Sequence, residues 1–360
     1  MLDENFDYYK NARDNGGIIY NRENNCWEIY TYDACKYVLM HDDIFSSNPK
    51  YAGGTSGLSF INMDNPEHKD YRNIIAPYFM PTKINEMTSE ISDISDKLIR
   101  NLNHDSDIVG NYAVELPVNV ISQLLGIPEE DRTKFKEWSD YIIGNKNDEN
   151  FGLINNYMIR KLSGLFSKNP ENGIMSVINN GYINNKNLNI NEKIGYIMLL
   201  IIGGNETKTN LITNMLKVLS DNDDMINNLN NDRAIHNFIE ETLRYYSPIQ
   251  FLPHRFIKED TELNGISMKK GQRVSVFLGS ANRDKNMFDN PDEFILRDRN
   301  EHIAFGRGSH MCIGAPLARL EAKIALNDFL HYYNRIKIDH KKSVILENPM
   351  VYGYKTMFFE

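Results

Sequence analysis

The chain has 360 residues, 41% of them hydrophobic and 25% charged, a balance that excludes a disordered or fibrous protein and leaves ample material for a large core. Its formal net charge of −9 argues against a general nucleic-acid binder, which would carry a basic excess or a basic face. The three cysteines, Cys26, Cys35 and Cys312, fit neither a disulfide framework nor a C-x-x-C zinc site, and no apolar run reaches the roughly 18 residues of a membrane-spanning helix.

The polar, acidic start from Met1 to Lys10 lacks a signal-peptide pattern, so the expected location is the cytoplasm; the length could hold two ordinary domains or one large one, and no internal repeat is evident. Gly17-Ile18-Ile19-Tyr20 and Trp27-Glu28-Ile29-Tyr30 flank the polar stretch Asn21 to Asn25 and predict a β-hairpin. A helix follows, with Tyr32-Asp33 as its cap and Ala34, Val38 and Leu39 on one face. Tyr51 to Phe60, with Gly53, Gly54 and Gly57, has no periodicity and reads as a mobile loop.

Asp64-Asn65-Pro66-Glu67-His68-Lys69-Asp70-Tyr71-Arg72 predicts a helix start, with Asp64 or Asn65 as cap and Pro66 in the first turn. His68 and Arg72 then share a face, as a clamp for a carboxylate or as an ordinary solvated surface. From Ile84 to Ile143 apolar residues recur at helical spacing, and the stripe Phe135, Trp138, Tyr141, Ile142 reads as packing. Ile194 to Leu219 predicts a long buried helix interrupted by Gly203-Gly204-Asn205-Glu206-Thr207-Lys208-Thr209. Two glycines and several polar side chains in such a helix cost stability unless something compensates, either a kink at a helix crossing or a function.

Glu240-Glu241-Thr242-Leu243-Arg244 lies on a helix expected from about Asp232 to just before Pro248, where Glu241 and Arg244 can pair at i, i+3. Phe251 to Phe256, broken by Pro253, should be extended. Asn264-Gly265 signals a hairpin turn, Arg273 to Leu278 a strand, and Ile336 to Phe358 a final hairpin in which Val351-Tyr352-Gly353 is expected near a pocket.

The most informative stretch is Phe305-Gly306-Arg307-Gly308-Ser309-His310-Met311-Cys312-Ile313-Gly314-Ala315-Pro316-Leu317-Ala318-Arg319. Gly306, Gly308 and Gly314 are expected to allow positive φ, and Pro316 suits the first turn of the helix that follows. Cys312 then sits at a helix N-terminus, where N–H groups favour the thiolate. From the residues alone Cys312 is a buried small hydrophobe, a nucleophile, or a thiolate ligand to a metal.

The string Phe-x-x-Gly-x-His-x-Cys-x-Gly closely resembles the haem-binding loop of cytochromes P450, and nearly the whole chain agrees with that family in its short, soluble bacterial and thermophilic-archaeal form. The resemblance implies that residues 1–360 form a single domain, a mainly α fold with small β-sheets (α+β) around one haem b, with Cys312 as the proximal iron ligand, pushing electron density onto iron to favour O–O cleavage. It implies that His68, Arg72, Arg255 and His310 hold the propionates, that Phe305 and Gly314 flank the thiolate, and that Gly203 and Gly204 leave room on the distal face. Glu206 and Thr207 would relay protons through water to the distal oxygen. Glu241 and Arg244 would form a structural clamp completed by Arg297 or Arg299, and the segments up to about Phe166 would roof the substrate pocket.

The implied activity is a monooxygenase that inserts one atom of O2 into a small hydrophobic organic substrate. A ferredoxin-type electron donor is the expected partner, because no flavin or iron–sulfur motif is present. Two rivals stay open, a peroxide-driven peroxygenase and a haem protein that binds gas or another ligand without turnover. The chain departs from the family pattern in Gly203, where alanine is commoner, and in Lys208, where Thr or Ser is commoner. Lys208 puts a cation beside the relay, pointing to solvent or paired with an acid.

Overall fold

The computed structural model describes residues 2–55, 59–127, 159–160, 162–167 and 173–360. The aromatic stripe from Phe135 to Ile142 and most of the roof segment lie outside the described residues. At the start of the chain, Leu2–Asp14 forms helix α1, which the polar composition does not announce; Arg13 anchors it by donating to the Ser280 hydroxyl (2.9 Å) and carbonyl (3.0 Å). The hairpin follows as β1 (Ile18–Asn21) and β2 (Cys26–Ile29), in register from Ile18 opposite Ile29 to Asn21 opposite Cys26. Together with β3 (Phe45–Ser46), β4 (Leu252–Ile257) and β5 (Arg273–Val276) it makes a five-stranded sheet in the order β1-β2-β5-β4-β3. Two-stranded ladders join Thr261–Leu263 to Ile266–Met268 through Asn264 (φ 51°) and Gly265 (φ 80°), and Val344–Ile345 to Tyr354–Thr356. The first matches its Asn-Gly turn signal, and the second falls within the expected final hairpin.

The helices that surround the site are α2 (Tyr32–Met40), α3 (Glu67–Ile75), α4 (Thr88–Arg100), α5 (Glu115–Leu125), α6 (Ile190–Gly204), α7 (Glu206–Asp221), α8 (Asp232–Tyr245) and α9 (Ala315–Tyr332). Helix α9 packs on α4, α7 and α8, and α6 packs on α5. Leu317, Ala325, Leu326 and Phe329 of α9 thereby enter one continuous core with Leu211 and Leu216 of α7 and Phe238 and Leu243 of α8. A second core joins the sheet to α2 through Ile29, Val38, Phe45, Val274 and Val276.

Three local expectations are corrected. The long helix over Ile194 to Leu219 is two helices, α6 and α7, which meet at Asn205. Asn189 and Glu192 form a reciprocal capping box that starts α6 four residues earlier than the apolar run. Before α3, the Asn65-Pro66 peptide is cis and the helix begins only at Glu67, so neither Asp64 nor Asn65 caps it through its side chain. The Asp64 carboxylate instead accepts from the Ser46 hydroxyl (2.6 Å) and the Ser47 N–H (2.9 Å). In α2, Thr31 takes the cap position and Asp33 falls inside the first turn. The extended reading of Phe251 to Phe256 holds, and α8 spans the expected residues with Asn231 as its cap.

Candidate active site

The cysteine loop is built from local backbone constraints. Gly306 (φ 71°) and Gly308 (φ 72°) are left-handed, and a Cβ on Gly308 would lie 2.4 Å from the Leu39 carbonyl oxygen, so no other residue fits there. Gly314 departs from the expectation, since its φ of −81° is open to any residue. What Gly314 contributes is a backbone N–H that, with that of Ala315, acts to lower the Cys312 thiol. The Cys312 N–H donates to the Phe305 carbonyl (2.8 Å), closing the loop, and α9 begins at Ala315 with Pro316 in its first turn.

Cys312 opens onto an interior cavity of about 270 Å³. Its lining includes Leu199, Leu200, Gly203, Gly204, Thr207 and Lys208 from the α6–α7 region, together with the apolar Phe60, Ile121, Ile249 and Leu252. Burial pushes the Cys312 thiol above its ordinary range, outweighing the two N–H groups and the nearby Arg72 and Lys208 charges. The nearby N–H groups and cations favour the thiolate, and a cation bound at the sulfur would favour it further.

At the break between α6 and α7 the Thr207 hydroxyl donates to the Gly203 carbonyl (3.0 Å), one of the acceptors that the interrupted helix leaves over. A Cβ on Gly203 would meet nothing within 4 Å, whereas one on Gly204 would press on Ile121 of α5 at 3.3 Å. The first glycine faces open space and the second allows α5 and α6 to approach. Glu206 opens α7 beside Thr207 but is not among the cavity-lining residues.

One edge of the cavity is cationic. His68, Arg72, Arg255 and His310 all line it, and the two imidazoles lie 3.9 Å apart, centroid to centroid. Arg72 donates to the Met311 carbonyl (2.7 Å) and so ties α3 to the cysteine loop, while His310 Nε2 lies 3.1 Å from the Ser47 hydroxyl. His68 is 1% exposed, and neither of its ring nitrogens has a partner among the described residues. Burial, and then the Arg72 charge, push His68 down to about 4; burial, and then Arg255, push His310 down to about 2. Burial also lowers Arg255, against the pull of Asp64 and Asp42. These groups repel one another's charge, which is the electrostatics of a site made for anions.

Behind the loop, Glu241 and Arg244 form a bidentate pair (2.8 and 2.7 Å), both fully buried. Arg244 also donates to the carbonyls of Asn282 (2.9 Å), Pro291 (2.8 Å) and Glu293 (2.8 Å). Arg297, not Arg299, completes the clamp by donating to Glu241. The Asn282 side chain accepts from the Ile303 N–H (2.8 Å), which carries the clamp forward to the cysteine loop.

Sequence reasoning missed the neighbouring Glu240. Consecutive helical residues point about 100° apart, so Glu240 faces a different partner set. It accepts both Arg319 donors (2.7 and 2.7 Å) and lies 3.1 Å from His302 Nε2. Burial acts to raise the Glu240 carboxyl, but the hydrogen bonds from Arg319 and His302 win and hold it at about 2. Its folded value is depressed from 4.5, so its stabilisation is present above that pH and is lost as pH falls toward about 2. Acid titration of wild type and Glu240→Gln should show a stability difference of about 3 kcal/mol near neutrality that shrinks through this window. A difference independent of pH would sink the assignment.

Lys208 does not point to solvent. Its ammonium donates to Glu321 of α9 at 2.6 Å, with side-chain exposures of 6% and 1%. Burial raises the Glu321 carboxyl against the opposing pull of Lys208. Val351-Tyr352-Gly353 is not among the cavity-lining residues; Val351 bridges to Ile249, which is, and Gly353 lies where a Cβ would meet Asn210 of α7 at 2.1 Å.

The family model described as Cytochrome P450 matches residues 143–353 of the chain. Cytochrome P450 109 of Bacillus spizizenii is 34% identical over 98% of this chain and 90% of its own, and Cytochrome P450 119 of Sulfolobus acidocaldarius 34% over 98% of each. A crystal structure of a cytochrome P450 from the thermoacidophilic archaeon Picrophilus torridus superposes with a TM-score of 0.88 at 53% identity, covering 95% of this chain and 99% of that one. CYP109E1 of Bacillus megaterium, in complex with testosterone, superposes with a TM-score of 0.90 at 35% identity over 99% of this chain and 98% of that one. The chain belongs to the cytochrome P450 family, whose members are haem-thiolate monooxygenases supplied with electrons from outside.

The mainly helical fold with small sheets is that family's fold. The donor set fits its haem: a sulfur under two N–H groups, an apolar cavity, an open face at Gly203, and a cationic edge with an orphaned imidazole. Among the described residues no helix is long and apolar enough to cross a membrane, and no cluster of three or more His, Cys, Asp and Glu residues forms another metal site.

Proposed function

We propose that the protein inserts one atom of O2 into a small apolar organic substrate, with haem b held by Cys312 and electrons delivered by a ferredoxin-type donor. The observation that carries this reading is that the Cys312 sulfur and the α6–α7 break, with Thr207, line one and the same mostly apolar cavity. The haem supplies oxygen activation at iron, and the thiolate supplies electron density to it. His68, Arg72, Arg255 and His310 bind its carboxylates. His68 gains most, because a carboxylate satisfies ring nitrogens that are otherwise unpaired and stabilises the charged imidazolium. Phe305 closes the loop beneath the sulfur, with its ring 4.6 Å from the Arg319 guanidinium, and Gly314 keeps an N–H on the sulfur.

Thr207 holds a hydroxyl at the break, where its own proton is tied to Gly203 O and its lone pairs are free to receive a water. Glu206, one residue earlier, passes protons from outside the cavity to that water. Apolar lining around Thr207 would limit competing water and favour proton delivery along this route. An apolar cavity favours an uncharged substrate, and the complex of CYP109E1 with testosterone supports apolar ligands as the first class to screen.

The test is a carbon monoxide difference spectrum of the reduced protein, followed by turnover of an apolar panel with a ferredoxin and its reductase. A thiolate-type band with coupled O2 consumption is the expected result. Thr207→Ala should lower product formed per O2 by at least about tenfold, with the electrons recovered as hydrogen peroxide. Faster turnover with H2O2 alone would favour the peroxygenase, and absence of any coupled O2 consumption would leave a ligand-binding haem protein.

A further inference from the structure

The Lys208–Glu321 pair has no part in the oxygen-activating chemistry assigned to Cys312, Glu206 and Thr207. A buried ion pair usually costs more in desolvation than it returns, so its presence at a cavity wall calls for a reason beyond stability. The pair is oriented. Lys208 is a cavity-lining residue and Glu321 of α9 is not, and the Lys208 charge is felt at the Cys312 sulfur. One of the three ammonium N–H groups is held at 2.6 Å by Glu321 Oε1, and Glu321 Oε2 has no partner among the described residues. The plain alternative is a tie between α7 and α9, which any complementary pair at these two positions would provide.

We propose that Lys208, fixed by Glu321, is an electrostatic tuning residue whose positive pole favours the more negative state of the group in the cavity and so raises its reduction potential. The inference rests on the haem-thiolate reading above. Its physical basis is that a charge fixed in a low-dielectric wall acts strongly on a charge change nearby and needs no reorganisation as the electron arrives. One electron enters the iron from the external donor, the net charge falls by one, and no bond is made or broken. Removing the oriented pair should therefore make the site harder to reduce.

The experiment is an equilibrium redox titration of the haem-loaded protein and two double variants. K208Q/E321Q keeps a hydrogen-bonded tie without charges, and K208E/E321K keeps an ion pair with its poles exchanged. The neutral pair should disfavour the reduced state by about tenfold, which is about 59 mV for one electron, and the exchanged pair should disfavour it further. Unchanged potentials in both variants would overturn the proposal and leave a simple helix tie, as would full recovery by the exchanged pair. Should K208Q/E321Q fail to load haem, the exchanged pair still separates tuning from a tie by the sign of its shift. A wild-type protein with no thiolate-type band would instead refute the haem-thiolate reading itself, a different and recognisable result.

Discussion

Cys312→Ala is expected to abolish the thiolate-type absorption band of the reduced carbon monoxide complex and to reduce oxygen insertion by more than about a thousandfold, roughly 4 kcal/mol of barrier. Among the described residues the sulfur is the one soft donor on the cavity, since the other two cysteines are buried elsewhere: Cys35 donates to the Ile29 carbonyl, and Cys26 lies in β2 against Ser275. The haem-free variant should stay within about 1 kcal/mol of wild type, because the side chain faces a cavity rather than packed core and the loop is held by backbone bonds. Circular dichroism melts of the two haem-free proteins and the spectra of the loaded ones separate the two effects. An unchanged band would remove the iron from this loop.

Arg244→Met should destabilise the fold by about 3–5 kcal/mol, the cost of removing one partner of a buried ion pair. It should also lower haem retention, because the Asn282, Pro291 and Glu293 carbonyls lose their common donor and Asn282 holds Ile303 ahead of the cysteine loop. For many buried ion pairs, replacing both partners with apolar groups restores stability. Here it should not, since Arg244 also serves three carbonyls and Glu241 accepts the Ile295 N–H (2.9 Å) and the Asn300 amide (2.8 Å). Thermal unfolding of Arg244→Met and of the Glu241→Met/Arg244→Met double variant checks this. Recovery in the double variant would reduce the clamp to an isolated pair.

The electrostatics of the cavity connect these effects. Four cationic or proton-accepting groups crowd one edge, two of them histidines pushed toward neutrality by burial and by their neighbours. Anion binding relieves that repulsion at the same moment as it satisfies the His68 nitrogens, so the edge serves affinity and orientation together. On the far side of the cysteine, Glu240 fixes Arg319 and His302, and Arg319 in turn lies over Phe305. Cofactor edge, cysteine loop and clamp are therefore one connected polar framework around an apolar cavity.

Local rules were sufficient for the elements whose partners lie close in the chain. The glycine-punctuated loop with Cys312 ahead of Pro316, the hairpin between Ile18 and Ile29 and the Asn264-Gly265 turn were legible from residue type and spacing, because each is decided within a few residues by φ preference, capping or helical periodicity, whereas the i, i+3 spacing of Glu241 and Arg244 only permitted their pairing. What the chain could not show by itself were choices made across long separations. That the run through Gly203 and Gly204 breaks into two helices at Asn205, that Arg297 rather than Arg299 completes the clamp, that Glu240 takes Arg319, and that Lys208 turns inward to Glu321 were decided only when α7, α8 and α9 packed together. The physical reason is that a buried charge must find its counter-charge wherever the packed core brings one within reach. For Lys208 that partner lies 113 residues away, beyond any periodicity the sequence can display.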